Sequence, residues 1–167
     1  GGDLVTPGNP QRVIERHEHR LVGAEADDLG CDHSAAGVDL ARVEFFRWPT
    51  NRGWTRDMGP LFVRSVTGGR TSILRFRFTA WAKYTDWKKD DAVPARAARA
   101  LNKEIIPAMH NDREVVLEGG SIDVNGRGSL LTTEECLLHP TLQIRNPGFT
   151  KTDYQDLFRS YLGVTKR

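Results

Sequence analysis

Polar and apolar positions alternate most clearly over residues 71–79, where Ile73, Arg75 and Arg77 fall on one face and Leu74, Phe76 and Phe78 on the other. That period of two predicts a strand. Strand composition also marks residues 43–48, closed by Pro49, and residues 60–64, just after a loop that holds Asp57. Residues 92–101 read as a helix with Asp91 as its cap and Pro94 in the first turn, followed by a strand over 104–106. The last element is the most sharply marked. Tyr154, Leu157, Phe158, Tyr161 and Leu162 form one apolar stripe, Thr150 and Asp153 suit a capping box, and Gly163 supplies the stop. Near the start, Val13, Ile14, His17 and Leu21 line one side of a helix expected over 10–22.

Residues 115–131 predict a β-hairpin. The short β-branched run Val115-Val116-Leu117 leads into Glu118, Gly119 and Gly120, and Asn125-Gly126 is the dipeptide of a tight type I′ turn. Glycines 119 and 120 let something approach the backbone closely. A carboxylate beside them could floor a site for a cation, or could be a solvated Glu on a Gly-rich turn.

Composition narrows the class. With 38% hydrophobic and 28% charged residues over 167 positions, the chain can bury a core. A net charge of +2 demands neither nucleic acid nor an anionic membrane. Arg and Phe interleaved over 71–79 could stack on bases, but a half-buried strand explains them without a basic patch. No apolar run is long enough for a membrane span and no leader is visible, which makes the cytoplasm the expected compartment. His17, His19 and Cys31-Asp32-His33 lack the paired spacing of a metal site, so no metal is expected. Cys136 sits between acids and apolar residues without an adjacent cation, and reads as a small buried side chain. His110 and His139 read as loop residues.

A second motif changes the weight of Glu118. Residues 54–60 run Trp-Thr-Arg-Asp-Met-Gly-Pro, and residues 118–138 run from Glu-Gly-Gly-Ser-Ile to Glu-Glu-Cys-Leu-Leu. With Ala80-Trp81-Ala82-Lys83-Tyr84, Lys89-Asp90-Asp91 and Arg145-Asn146-Pro147, they resemble the agmatine deiminase / Porphyromonas-type peptidylarginine deiminase family from about Gly37 onward. The resemblance implies an α/β pentein propeller, of which this chain would hold about two to two and a half ββαβ-type modules. It separates a divergent segment, 1–36, from a partial deiminase-like domain, 37–167.

The resemblance also implies hydrolysis of a guanidinium to a ureido group and ammonia through a Cys-linked intermediate, with no cofactor. It assigns Asp57 to holding the cation and Trp54 to the pocket wall. Glu118, beside Gly119 and Gly120, would orient the catalytic His or contact the guanidinium. Carboxylates suit this because they accept paired N–H bonds from a planar cation. The family's G-H-x-D and late Gly-rich Cys motifs are not found in the 167 residues, so the chain alone is expected to bind rather than turn over a guanidinium or amidine. The alternative is a non-catalytic assembly module that forms a homo-oligomer or joins a complementing chain, because a partial propeller leaves strand edges to be paired.

Overall fold

A computed structural model describes the backbone of Arg12–Val13 and residues 44–166. Its centre is a four-stranded sheet in the order β1 (Arg12–Val13), β2 (Leu61–Ser65), β3 (Thr71–Arg75), β4 (Ile105–Pro107). The first three pair antiparallel, and β4 joins β3 in parallel after a crossover through α2 (Lys88–Asp91) and α3 (Val93–Ala100). The chain is thus α/β with a small open sheet. The helix expected over 10–22 is contradicted at Arg12–Val13, which pair with Ser65 and Arg64; its other residues, and the boundary at 36/37, lie outside the described residues.

The strand expected over 71–79 ends at Arg75, leaving an isolated bridge from Arg77 to Val116, while the alternation of side chains continues to Phe78 with both faces covered. Ile73 packs against Ala97 and Ala98 of α3, while Leu74 and Phe76 enter the main core with Leu117, Tyr154, Leu157 and Phe158. Phe76 and Phe78 are buried, which removes them as a stacking surface for bases. Arg75 and Arg77 instead meet two acids. Asp91 accepts from Arg75 Nη2 (3.1 Å) and Arg77 Nε (3.0 Å), and Glu114 accepts from Arg75 Nη1 (2.7 Å).

Asp91 is therefore no helix cap. It ends α2, and its other oxygen accepts the Phe78 N–H at 2.9 Å, so two guanidinium groups and a backbone amide outcompete the helix terminus. Residues 44–48 form no strand; Phe46 and Trp48 stack at 5.0 Å, and Trp48 packs against the Ile73 cluster from outside the ladder.

The hairpin is shorter than expected. Val115–Leu117 does not pair with the return strand but lies beside Arg77, with bonds Arg77 N–H to Val115 O (2.8 Å) and Leu117 N–H to Arg77 O (3.2 Å). After β5 (Met109–His110), β6 (Arg113–Glu114) and a 3-10 turn at Gly119–Ser121 come β7 (Asp123–Val124) and β8 (Leu130–Leu131), paired antiparallel. The connection spans residues 125–129. Gly126 and Gly128 both take positive φ, and the Asn125 side chain accepts from Arg127 N–H and Ser129 N–H, which closes a longer loop than type I′.

Residues 134–138 form a helix, α4 (Glu134–Leu138), capped by Thr133. The final helix, α5 (Lys151–Leu162), has the expected capping box between Thr150 and Asp153 and a left-handed Gly163 (φ 66). No strand follows at Val164; the N–H groups of Thr165 and Lys166 donate to Gly128 O at 3.0 Å. Among the described residues, no helix is long and apolar enough to cross a membrane.

Candidate functional site

Asp57 sits on a single helical turn, α1 (Thr55–Met58). That turn is too short to be stable alone. Met58 anchors it, buried with Phe78, Ala80 and Val93, and Pro60 directs the chain out into β2. Asp57 is left half-buried, and its Oδ2 accepts the indole N–H of Trp81 at 3.2 Å.

Glu118 is the second acid of the site. Its side chain is 1% exposed, at the end of the buried run Val115–Leu117. The glycines that follow explain the close approach foreseen from the sequence, but the approaching group is the Asp57 turn. A Cβ on Gly119 would collide with the carbonyl oxygen of Arg56, and a Cβ on Gly120 with Oδ1 of Asp57. The two motifs therefore meet glycine to helix turn. Of the expected site residues, Asp57, Glu118, Gly119 and Gly120 come together, whereas Trp54 stands 65% exposed.

Glu118 is already engaged. Arg145 Nε lies 3.2 Å from both of its oxygens, and Arg145 Nη1 donates to Gln143 O at 2.9 Å. Burial pushes the Glu118 carboxyl above its ordinary range, the Arg145 guanidinium opposes that shift, and the Asp57 charge adds slightly to it. The strand leading to Glu118 is held by Asn146, whose side-chain amide accepts from Val116 N–H (2.9 Å) and donates to Val116 O (2.7 Å). Asn146 thus supplies what a neighbouring strand would otherwise supply.

Sequence reasoning gave Arg145, Asn146, Trp81 and Arg52 no role. The first three lie in segments that carried the resemblance, which was the available signal. Arg52 binds Asp86 Oδ1 (2.6 Å) and Asp90 Oδ2 (3.4 Å), and its guanidinium lies 4.8 Å from the ring centroid of Tyr84 and 5.8 Å from that of Trp81. It ties the segment before Asp57 to the loop carrying Trp81.

The described histidines, His110 and His139, and the described cysteine, Cys136, stay out of this arrangement. His139 Nδ1 accepts from the N–H groups of Thr141 and Leu142, closing a turn. His110 begins a His-x-Asp sequence, but Asn111 and Asp112 both take positive φ in a tight turn, and His110 faces Asp153 (3.4 Å) and Phe149. Cys136 is half-buried on α4 against the main core. Cys31, His17, His19 and His33 lie outside the described residues; among those described, no cluster of three His, Cys, Asp or Glu could hold a metal ion.

A sequence model of the Porphyromonas-type peptidyl-arginine deiminase family matches residues 10–167. The chain belongs to that family. A candidate agmatine deiminase from Pectobacterium atrosepticum is 40% identical over 158 residues, covering 92% of this chain and 40% of the relative. The agmatine deiminase of Stutzerimonas stutzeri is 34% identical over the same length, again covering 92% and 40%. Among solved structures, the agmatine deiminase of Enterococcus faecalis superposes with a TM-score of 0.64 at 32% identity, over 75% of this chain and 33% of that one. A C. jejuni agmatine deiminase with substrate bound gives 0.63 at 28% identity, over 86% and 39%. This member of the family spans about two fifths of the length of these curated relatives.

Proposed function

We propose that residues 37–167 form the cation-holding part of a guanidine-deiminating domain, built as two to two and a half modules of an α/β propeller. Asp57 receives a small guanidinium or amidine, and Trp54 offers it an aromatic face. The observation that carries this reading is the seating of the Asp57 turn on Gly119 and Gly120, directly after the buried Glu118. Glu118 acts as an orienting acid rather than a direct ligand, because both of its oxygens face Arg145. Agmatine is the first substrate to test, since relatives and solved neighbours carry that name. In this reading the chain binds the cation without hydrolysing it; in support, among the described residues Cys136, His110 and His139 stand apart from the Asp57 site.

The test is calorimetric titration of the chain with agmatine, beside an assay for released ammonia. Asp57→Asn removes the charge and keeps the shape, and a charge-assisted bond lost in this way weakens binding about 10- to 100-fold. Equal binding by both proteins refutes the role of Asp57. Ammonia released in proportion to the chain refutes the claim of no turnover.

A second reading, an assembly module, is favoured by the apolar side chains left outside. Leu131 is 74% exposed and Leu142 63%, and an open groove of about 430 Å³ lies between α4 and α5. If the chain assembles, light scattering gives at least twice the monomer mass of 18.8 kDa, and Leu131→Lys with Leu142→Lys restores the monomer. A monomer in the unmodified protein sinks this reading. Agmatine binding decides the first reading independently.

A further inference from the structure

Ala80, Trp81 and Ala82 have φ of 49°, 60° and 51°, three left-handed residues in a row with no glycine among them. L-residues avoid that region because Cβ crowds the following carbonyl, so contacts outside the turn must hold it. Those contacts converge on Trp81. Its ring meets Phe78 and Tyr84 edge-on at 5.6 and 6.1 Å, Arg52 lies over it, and Gln143 Nε2 donates to its carbonyl at 3.1 Å. Ala80, fully buried beside Met58, Phe78 and Val93, anchors the start of the turn, but burial does not account for Trp81, which remains only half-buried. What the turn delivers is a single indole N–H, placed 3.2 Å from Asp57 Oδ2.

We propose that Trp81 is the positioning residue of Asp57: its indole N–H holds one carboxylate oxygen while the bare Cα of Gly120 receives the other, so the acid is fixed before a cation arrives. The proposal rests on the reading of Asp57 as the cation's acid. A carboxylate already held in its binding orientation loses little freedom when a planar cation docks, which is how such fixing raises affinity. Arg52 supports the arrangement from behind. It bonds to Asp86 and Asp90 and stacks on Tyr84 and Trp81, so the indole cannot swing away without breaking those contacts.

The experiment reads the contact from both ends. In ¹⁵N-labelled protein, the indole N–H signal of Trp81 is the one lost in Trp81→Phe. In Asp57→Ala, where Trp81 is intact, that signal is expected to move and its exchange with water to quicken at least tenfold. Trp81→Phe keeps an aromatic ring but no donor, and its affinity for agmatine is expected to fall about tenfold with the melting temperature followed alongside. An indole signal indifferent to Asp57→Ala overturns the proposal, whether or not Trp81→Phe folds. So does a folded Trp81→Phe that binds agmatine as well as the unmodified chain, or better. If the indole responds and no protein binds agmatine, the cation reading of Asp57 fails while the positioning of its carboxylate by Trp81 stands.

Discussion

Arg145→Met loses about 3–5 kcal/mol of stability at neutral pH, the usual cost of stripping a buried ion of its partner. Arg145 is 7% exposed along its side chain and Glu118 1%, so water cannot replace the lost guanidinium. Against a total stability of about 5–15 kcal/mol for a domain, the loss brings the variant close to unfolding. Its pH dependence separates this cause from lost packing. The folded-state pKa of Glu118 already lies above its ordinary value, through burial. A raised carboxyl contributes stability that is present below the unfolded pKa and is lost as pH rises through the folded one. Removing Arg145 takes away the main influence opposing the rise, so the window widens upward. The variant's deficit shrinks on acidification from neutral pH toward about 4.3, the ordinary Glu value, as the proton removes the unpaired charge. Urea midpoints of both proteins across that range check it. A deficit independent of pH would mean that Arg145 acts through packing alone, and that Glu118 is not charged at neutral pH.

The same pair marks what a sequence discloses and what it does not. The α5 helix was legible because its stripe, capping box and terminal glycine all lie within 14 consecutive residues, from Thr150 to Gly163. Strands β2 and β4 shifted by only one residue from their expected bounds, since both are short apolar runs beside β3. The failures share a cause. Asp91 has the local look of a cap, yet its partners Phe78, Arg77 and Arg75 lie 13 to 16 residues away. Val115–Leu117 has the look of a hairpin arm, yet the side chain of Asn146 takes up the Val116 backbone bonds across 30 residues. Glu118 is no failed expectation, but its partner Arg145, 27 residues on, was equally invisible to local pattern. Each depends on a contact that leaves no local pattern. The family motifs did carry Asp57, Glu118 and the two glycines to one place, which periodicity could not have done. The glycines signalled a close approach without naming what approaches, and in the structure it is the Asp57 turn.

Gly120→Ala, although exposed at the surface, is expected to lower agmatine affinity tenfold or more, while Gly119→Ala one position earlier mainly costs stability. Neither glycine has a positive φ, so alanine fits both backbones and the effects come from space alone. At Gly119 the new Cβ meets the backbone carbonyl of Arg56, with Leu61 Cδ2 a further 3.6 Å neighbour, in a buried position. Backbone on both sides must shift, which costs about 1–3 kcal/mol as overpacking does elsewhere. At Gly120 the Cβ meets the Asp57 carboxylate, the free end of a side chain. That carboxylate can rotate away, so stability stays within about 0.5 kcal/mol. Rotation takes Oδ2 from the Trp81 indole and the acid from its place. Gly120→Ala should therefore quicken exchange of the Trp81 indole N–H as Asp57→Ala does. It should also have no further effect on affinity in an Asp57→Ala background, because the two changes act on one group. Additive losses in that double variant would mean that Gly120 serves the ligand directly, by leaving room for it rather than by seating Asp57.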